Sequence, residues 1–374
     1  MKKQILQLTF VAVFLGSLLA AGMCIFLLPQ RKFSENENRY LAQLPSWNKS
    51  DICKGNMQKD LEEAVNDQFY QRDEWMALST KLEKLWGKNL IHGVYMGKEG
   101  YYFQQELDSQ LSEKRIDLNV QILERLKETV GEERFTALLV PSPGQVLKKQ
   151  MPKWSVLYDA EGVKRKLKNN LGTSYLEVQA SLEEADKEVY FHTDHHWNLY
   201  GAYVAYGQYA QKIGLPVDSY ASFAPRLASD SFLGTLYSKV LEGNPKKDDL
   251  YLVTALPKNL RVTVNKKHYK SIYQMKQLEK KDKYAVYFGG NYGYVSIENP
   301  KAKKKETLVI VKDSFAHSFV PFLIKDYQKI ILLDLRYYNG PVSKILEDNP
   351  KSQVLFLMEM SNFAKEENLY KLLH

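Results

Sequence analysis

Two short segments, far apart in the chain, carry the residue types of an acyl-transfer site. One is Thr193-Asp194-His195-His196-Trp197 and the other is Lys312-Asp313-Ser314-Phe315. Together they offer a hydroxyl to carry an acyl group, an imidazole to deprotonate it, and a carboxylate to hold that imidazole in one tautomer. Three of the seven histidines, His192, His195 and His196, fall in the first segment. If the segment is extended, residues 192, 194 and 196 share a face and His195 takes the other. Asp194 with His196 is then the carboxylate–imidazole pair, Ser314 the nucleophile, and His195 stands at the margin. Two other readings use the same residues. His192, Asp194 and His196 have a spacing a metal can use, although no fourth ligand accompanies them. A hydrogen-bonded histidine turn beside an ordinary Asp or Ser helix cap needs no chemistry at all.

The flanking pattern says how the segments meet. The apolar run Leu308-Val309-Ile310-Val311 reads as a buried strand ending just before Ser314, and residues 315–324 read as the helix that follows. A hydroxyl at such a turn lies at a sheet edge, where helix-start amides can face an oxyanion. Residues 329–335, 341–347 and 354–358 continue as strand, helix and strand. Residues 135–140 read as another buried strand, ending at Pro141-Ser142-Pro143-Gly144, and residues 199–213 as a helix. The alternation implies an α/β domain in three layers, with a mostly parallel sheet whose ligands sit beyond the strands' carboxyl ends. Arg336, Tyr337 and the Ser142 loop fall at that edge with Ser314. His317 follows Ser314 by three positions, on the same side of the expected helix. Turns at Gly234 and at Phe288-Gly289-Gly290-Asn291 offer a backbone amide or the Asn291 side chain to an oxyanion. Residues 214–300 are less regular, with strand-like pieces at 250–253 and 284–288. Upstream, residues 57–86 suit one or two amphipathic helices, and 94–96 with 101–103 suit a hairpin about Gly97-Lys98-Glu99-Gly100.

Residues 5–28 are almost wholly apolar and as a helix reach roughly 36 Å, enough to cross a bilayer. The run continues past the small residues Ala20-Ala21-Gly22, so an uncleaved anchor is expected rather than a signal peptide. This gives an anchor over 1–29, a link and helical segment over 30–90, and the α/β domain over 91–374. Lys2 and Lys3 favour an inside N-terminus and an extracytoplasmic bulk. Cys24 and Cys53 do not make a disulfide framework, since one lies in the apolar run. Hydrophobic residues at 44% and charged ones at 26% suit a globular chain. The net charge of +8 comes mainly from lysine. Clusters such as Lys266-Lys267 and Lys301-Ala302-Lys303-Lys304-Lys305 are solvated loops first, and a surface for anionic lipid or acidic polymer second. No nucleic-acid motif accompanies the charge, and no cofactor is expected.

Four blocks carry a resemblance. Phe191-His192-Thr193-Asp194-His195-His196-Trp197, followed by Gly201-Ala202-Tyr203, resembles the signature of the bacterial DHHW family. Residues 232–239 (Phe-Leu-Gly-Thr-Leu-Tyr-Ser-Lys), 311–322 around Asp313-Ser314, and 333–339 around Arg336-Tyr337 resemble further blocks. The similarity starts near Glu35-Asn36-Glu37-Asn38-Arg39 and runs through Asp67-Gln68-Phe69-Tyr70-Gln71-Arg72 to the C-terminus. It implies an SGNH-hydrolase-like fold of the alginate O-acetyltransferase type. In those relatives an Asp-x-His segment precedes the nucleophilic serine, a permuted order that Asp194, His196 and Ser314 follow. The chain departs from them at Lys312, where the block usually reads Gly-Asp-Ser. The resemblance implies a membrane-anchored extracytoplasmic serine acyltransferase or esterase. It would O-acetylate a cell-surface polysaccharide, with a multi-pass membrane acyltransferase as acyl donor. The alternative is a non-catalytic polysaccharide-binding or assembly protein that keeps the fold.

Overall fold

The computed structural model describes residues 2–37, 39–45, 56–302 and 304–373. Cys53 and Lys303 lie outside the described residues, and with them the cysteine pair and the middle of one lysine cluster. The chain divides into two compact units, Met1–Lys88 with Ser238–Asn244, and Asn89–Tyr237 with Pro245–His374.

The larger unit is built on a sheet whose strands, in chain order, are β1 (Phe135–Val140), β2 (Tyr175–Leu176), β3 (Arg261–Val264), β4 (Lys267–Tyr269), β5 (Tyr294–Glu298), β6 (Lys304–Lys312), β7 (Tyr327–Leu333) and β8 (Gln353–Glu359). They lie side by side in the order β4-β3-β5-β7-β6-β8-β1-β2. From β7 to β2 every pairing is parallel; β5, β3 and β4 are added antiparallel at one side. The sheet is therefore mixed, with its parallel part holding Ser314's strand between two neighbours.

Strands β1, β6 and β8 read as unbroken apolar runs because both their faces are covered. Leu308 and Ile310 of β6 enter one core with Leu138, Leu355 and Leu357. Val309 and Val311 enter the other with Leu139, Phe356 and Met358. That alternation is the pleat of the strand. Helices α1 (Glu113–Val130) and α2 (Ala160–Leu171) cover the second face, and α3 (Leu199–Lys212) covers the first. Fully burying one such Leu or Val contributes about 1.5–3 kcal/mol, so truncation at Leu308 or Val309 would loosen the strand that carries Ser314.

Two expected elements differ. Residues 284–288 form no strand; Lys283–Val286 is a 3-10 turn whose cap, Asp282, accepts the Ala285 N–H at 3.3 Å. The apolar run there is a row of aromatic rings packed into the core, not a pleat. The helix expected over 315–324 is two short pieces, Ala316–Phe319 and the 3-10 turn Val320–Phe322. Pro321 has no N–H to continue the ladder. The hairpin forms between Val94–Met96 and Tyr102–Gln104, with Leu90–Ile91 as a third strand.

The smaller unit holds the helix Lys2–Leu27, which is long and apolar enough to cross a membrane, with a mean hydropathy of 2.5 over its most apolar stretch. Helices Asn56–Asp67 and Arg72–Leu85 follow, parted at Gln71, whose φ of 52° breaks the helix. Two of the family-like blocks meet here. The Arg39 guanidinium bonds Asp67 through both nitrogens, at 2.7 and 2.5 Å, and Arg72 pairs with Glu37 at 2.8 Å.

Candidate active site

Ser314 stands two residues past the end of β6, at the carboxyl edge of the parallel strands. The histidine segment is fastened to the same place. Tyr190 and Trp197 form an isolated antiparallel bridge, so residues 191–196 bulge as a tight turn between them. Trp197 is fully buried and donates its indole N–H to the Phe315 carbonyl at 3.0 Å. A burial this deep needs a partner for the indole, and that partner is the residue after Ser314.

Within the turn, Asp194 Oδ1 accepts the His196 amide at 2.9 Å and lies 2.5 Å from His196 Nδ1. His196 Nε2 lies 2.7 Å from Ser314 Oγ. An ionised carboxylate only accepts, so Nδ1 carries the proton and Nε2 presents a lone pair to the hydroxyl. The other oxygen, Asp194 Oδ2, accepts the Thr235 amide at 2.7 Å and the Thr235 hydroxyl at 3.0 Å. Burial alone would raise the Asp194 carboxyl. The His195 and His196 imidazoles and these hydrogen bonds outweigh it and hold the group well below the usual carboxylate range. Gly234 makes the approach possible. A Cβ there would meet Asp194 Cβ at 2.2 Å and Oδ2 at 2.3 Å.

The alternation expected of an extended segment does not hold, because the segment is a turn. The His195 ring lies 4.0 Å from the His196 ring rather than opposite it, with Nδ1 2.7 Å from Thr235 Oγ1. His192 is drawn elsewhere. Its Nδ1 is 2.8 Å from Asp248 Oδ1 and its Nε2 is 2.6 Å from Lys246 Nζ. Asp248 also accepts the His192 and Thr193 amides and the Thr193 hydroxyl. The metal-like grouping is accordingly Asp194, His195 and His196, with ligand atoms within 4.8 Å of one another, and His192 has no place in it. Both His196 nitrogens are already engaged, one with Asp194 and one with Ser314.

The remaining expected residues surround this chain unevenly. His317 is buried with Nε2 2.8 Å from Lys312 Nζ. Burial, then the Lys312 charge, keeps its imidazole neutral. Lys312 is itself buried and pushed down to about 8 by that burial, against the pull of Asp334 at 3.5 Å. Arg336 grips Asp334 through Nε at 2.9 Å and Nη2 at 2.7 Å. Tyr337 is exposed, and so is Asn291. The amides offered as oxyanion donors are used inside the protein. Gly234 N–H donates to Thr193 Oγ1 at 3.0 Å, and Phe315 N–H donates to Asp313 Oδ1 at 2.9 Å.

Three residues at the site do not stand out in the sequence: Thr235, Asp248 and Tyr284, whose ring lies 4.1 Å from that of His196. Thr235 follows Gly234 in a block that reads as plain turn chemistry. Tyr284 hides in the run that reads as a strand. A cavity of about 520 Å³, lined in part by His192, Lys246, Tyr200, Tyr220 and Tyr251, lies on the His192 side of the turn. The hydrogen-bonded chain from Asp194 to Ser314 lies outside the lining of that cavity.

The family described as "DHHW protein" matches residues 153–333. Among solved structures the chain is similar to a DHHW family protein from Eubacterium siraeum, with a TM-score of 0.61 and 21% identity over 75% of this chain and 95% of that one. It is similar to Bacillus cereus PatB1 with a sulfonyl adduct, with a TM-score of 0.61 and 20% identity over 75% of this chain and 99% of PatB1. A second structure of Bacillus cereus PatB1 gives a TM-score of 0.61 and 20% identity, over 71% of this chain and 95% of that one. No curated protein matches in sequence. At these identities the likeness speaks for the fold, an α/β domain on a mixed, mostly parallel sheet.

Proposed function

We propose, for a chain whose residues 153–333 belong to the DHHW family, that Ser314 is the nucleophile of a membrane-anchored, extracytoplasmic acyltransferase or esterase. The reading has it O-acetylate a cell-surface polysaccharide through an acyl-Ser314 intermediate. The observation that carries it is the unbroken chain from Asp194 Oδ1 through His196 to Ser314 Oγ, with steps of 2.5 and 2.7 Å.

His196 Nε2 takes the Ser314 proton as Oγ attacks the carbonyl carbon of an acyl donor. The imidazolium so formed stays beside the Asp194 carboxylate, which neutralises it without taking the proton. His196 returns the proton to the donor's leaving oxygen, and an acyl-Ser314 ester remains. In the second half a sugar hydroxyl, or water, gives its proton to His196 and attacks the ester carbon. The C–O bond to Ser314 breaks, and His196 protonates the departing Oγ. Asp194 and His196 precede Ser314 in the chain, the permuted order of the alginate O-acetyltransferase type that the sequence resembles. The helix Lys2–Leu27 supplies the anchor and, with Lys2 and Lys3 inside, an outward-facing domain. An acyl donor on the cytoplasmic side then needs a membrane partner to carry the group across, which is the role given to a multi-pass acyltransferase.

The test is a serine-directed fluorophosphonate on the full-length chain in detergent. Wild type is expected to label, and Ser314→Ala to lose all label. Equal labelling of both would sink the assignment and leave the binding-protein reading standing.

A further inference from the structure

Tyr284 touches both ends of the proton path, and nothing above gives it a role. Its ring lies 4.1 Å from the His196 ring at an interplanar angle of 15°. The other face of that imidazole meets the His195 ring at 4.0 Å, and Phe315 leans on it at 4.8 Å. His196 is thus confined in a slot whose long wall is a phenol. The hydroxyl of the same phenol donates to the Ser314 carbonyl at 3.1 Å, and Ser318 Oγ is 3.3 Å away. The Ser314 carbonyl also accepts the His317 amide at 3.1 Å. Tyr284 is buried, and burial, then Tyr287, keeps its hydroxyl protonated and able to donate.

We propose that Tyr284 is a positioning residue that sets His196 and Ser314 in register and cushions the charge on His196 with its ring face. The proposal rests on the Ser314 reading. Two separable effects follow from one side chain. The hydroxyl fixes the backbone of Ser314, and therefore where Oγ points, through a bond the nucleophile's own side chain does not use. The ring face carries negative quadrupolar charge, so it favours a cation stacked within about 6 Å over a neutral imidazole. The imidazolium formed when Ser314 gives up its proton is such a cation. The other charged or titratable groups facing His196 are Asp194 and His195 from its own turn and His317 from the segment after Ser314. Asp194 acts through Nδ1 in the ring plane, whereas Tyr284 acts on the ring's face. Removal of one leaves the other in place.

The experiment is the pH profile of fluorophosphonate labelling at Ser314, on the full-length chain in detergent, for wild type, Tyr284→Phe and Tyr284→Met. Tyr284→Phe keeps the stacked ring and loses the hydroxyl. Its midpoint should match wild type while its plateau rate falls roughly tenfold, the effect of a loosened nucleophile. Tyr284→Met keeps bulk and loses the ring face. Its midpoint should fall by about half a unit, because the imidazolium loses the ring face it stacks on. A wild-type midpoint and plateau in both variants would overturn the proposal. Should Tyr284→Met fail to fold, a wild-type plateau in Tyr284→Phe overturns it alone. Absence of label at Ser314 in the wild type is a different failure, that of the nucleophile assignment itself.

Discussion

Ser314 reacts, on this account, because one carboxylate is placed with unusual completeness. Asp194 accepts four hydrogen bonds, two at each oxygen. Replacing it by Asn keeps the shape but puts a donor where Nδ1–H must be received, so the imidazole adopts the wrong tautomer. Labelling of Asp194→Asn should fall about 10³–10⁴-fold with the melting temperature little changed. A loss under tenfold would remove Asp194 from the mechanism. Gly234 makes a second residue-scale test. A methyl at 2.2 Å from Asp194 Cβ must push that buried side chain aside. Gly234→Ala should therefore cost about 10²-fold in labelling rate, the effect of roughly 1 Å of misplacement. Kinetics equal to wild type would show that the carboxylate has room to spare. At this scale the sequence was informative about chemical type and poor about direction. Asp194, His196 and Ser314 stood out as types, and the structure brings them into one hydrogen-bonded chain. The placement of His195 and His192 did not follow from alternation, because a side chain–backbone bond from Asp194 to its own turn bends the segment. Gly234 reads as an amide donor in the sequence, but its use is its missing side chain, which no spacing rule reveals.

Elements enter through what their ends hold. Strand β8 finishes at Glu359, whose amide donates at 2.9 Å to Oδ2 of Asp313, the residue before Ser314. The Glu359 carboxyl is buried and bonds the Ser361 hydroxyl at 2.7 Å, while the same hydroxyl also bonds Glu106. One hydroxyl has one proton to give, so two carboxyl groups around it need a second proton on one of them. Burial, then the Glu106 charge, pushes Glu359 up to about 8. The folded protein therefore keeps a proton that the unfolded chain has lost. The stability this confers is whole below the ordinary carboxyl value near 4.5 and drains away as pH rises toward about 8. Melting temperatures measured from pH 5 to 9 should fall more steeply for wild type than for Glu359→Gln, with the gap closing by about 5 °C. Parallel curves would mean that the proton is not held there. The parallel strands were legible because they are buried on both faces and therefore apolar throughout. The turn Lys283–Val286 was not legible, since buried aromatics look alike in a strand and in a 3-10 turn. The helix after Ser314 was too long in expectation because the burial signal ran on past Pro321, where the hydrogen-bond ladder could not.

The whole chain joins a helix long and apolar enough to cross a membrane to an α/β fold. Deleting residues 1–29 should move the protein from the membrane fraction to the soluble one. Fluorophosphonate labelling of Ser314 should stay within about twofold, because the hydrogen-bonded chain lies wholly within the larger unit. Loss of label in a folded, soluble truncation would tie the anchor to catalysis itself. A helix long and apolar enough to cross a membrane was plain from length and apolar content. The division of the remainder was less so, since residues 238–244 belong with the first unit although they follow the histidine segment in the chain. The most direct measurement of the central claim is peptide mass spectrometry after brief exposure of the protein to an activated acetyl ester and an acid quench. The account predicts an acetyl group on Ser314 in the wild type, and none in His196→Ala or Ser314→Ala. A wild-type protein that hydrolyses or transfers the acetyl group while Ser314 stays unmodified, and that does so equally well as Ser314→Ala, would contradict it.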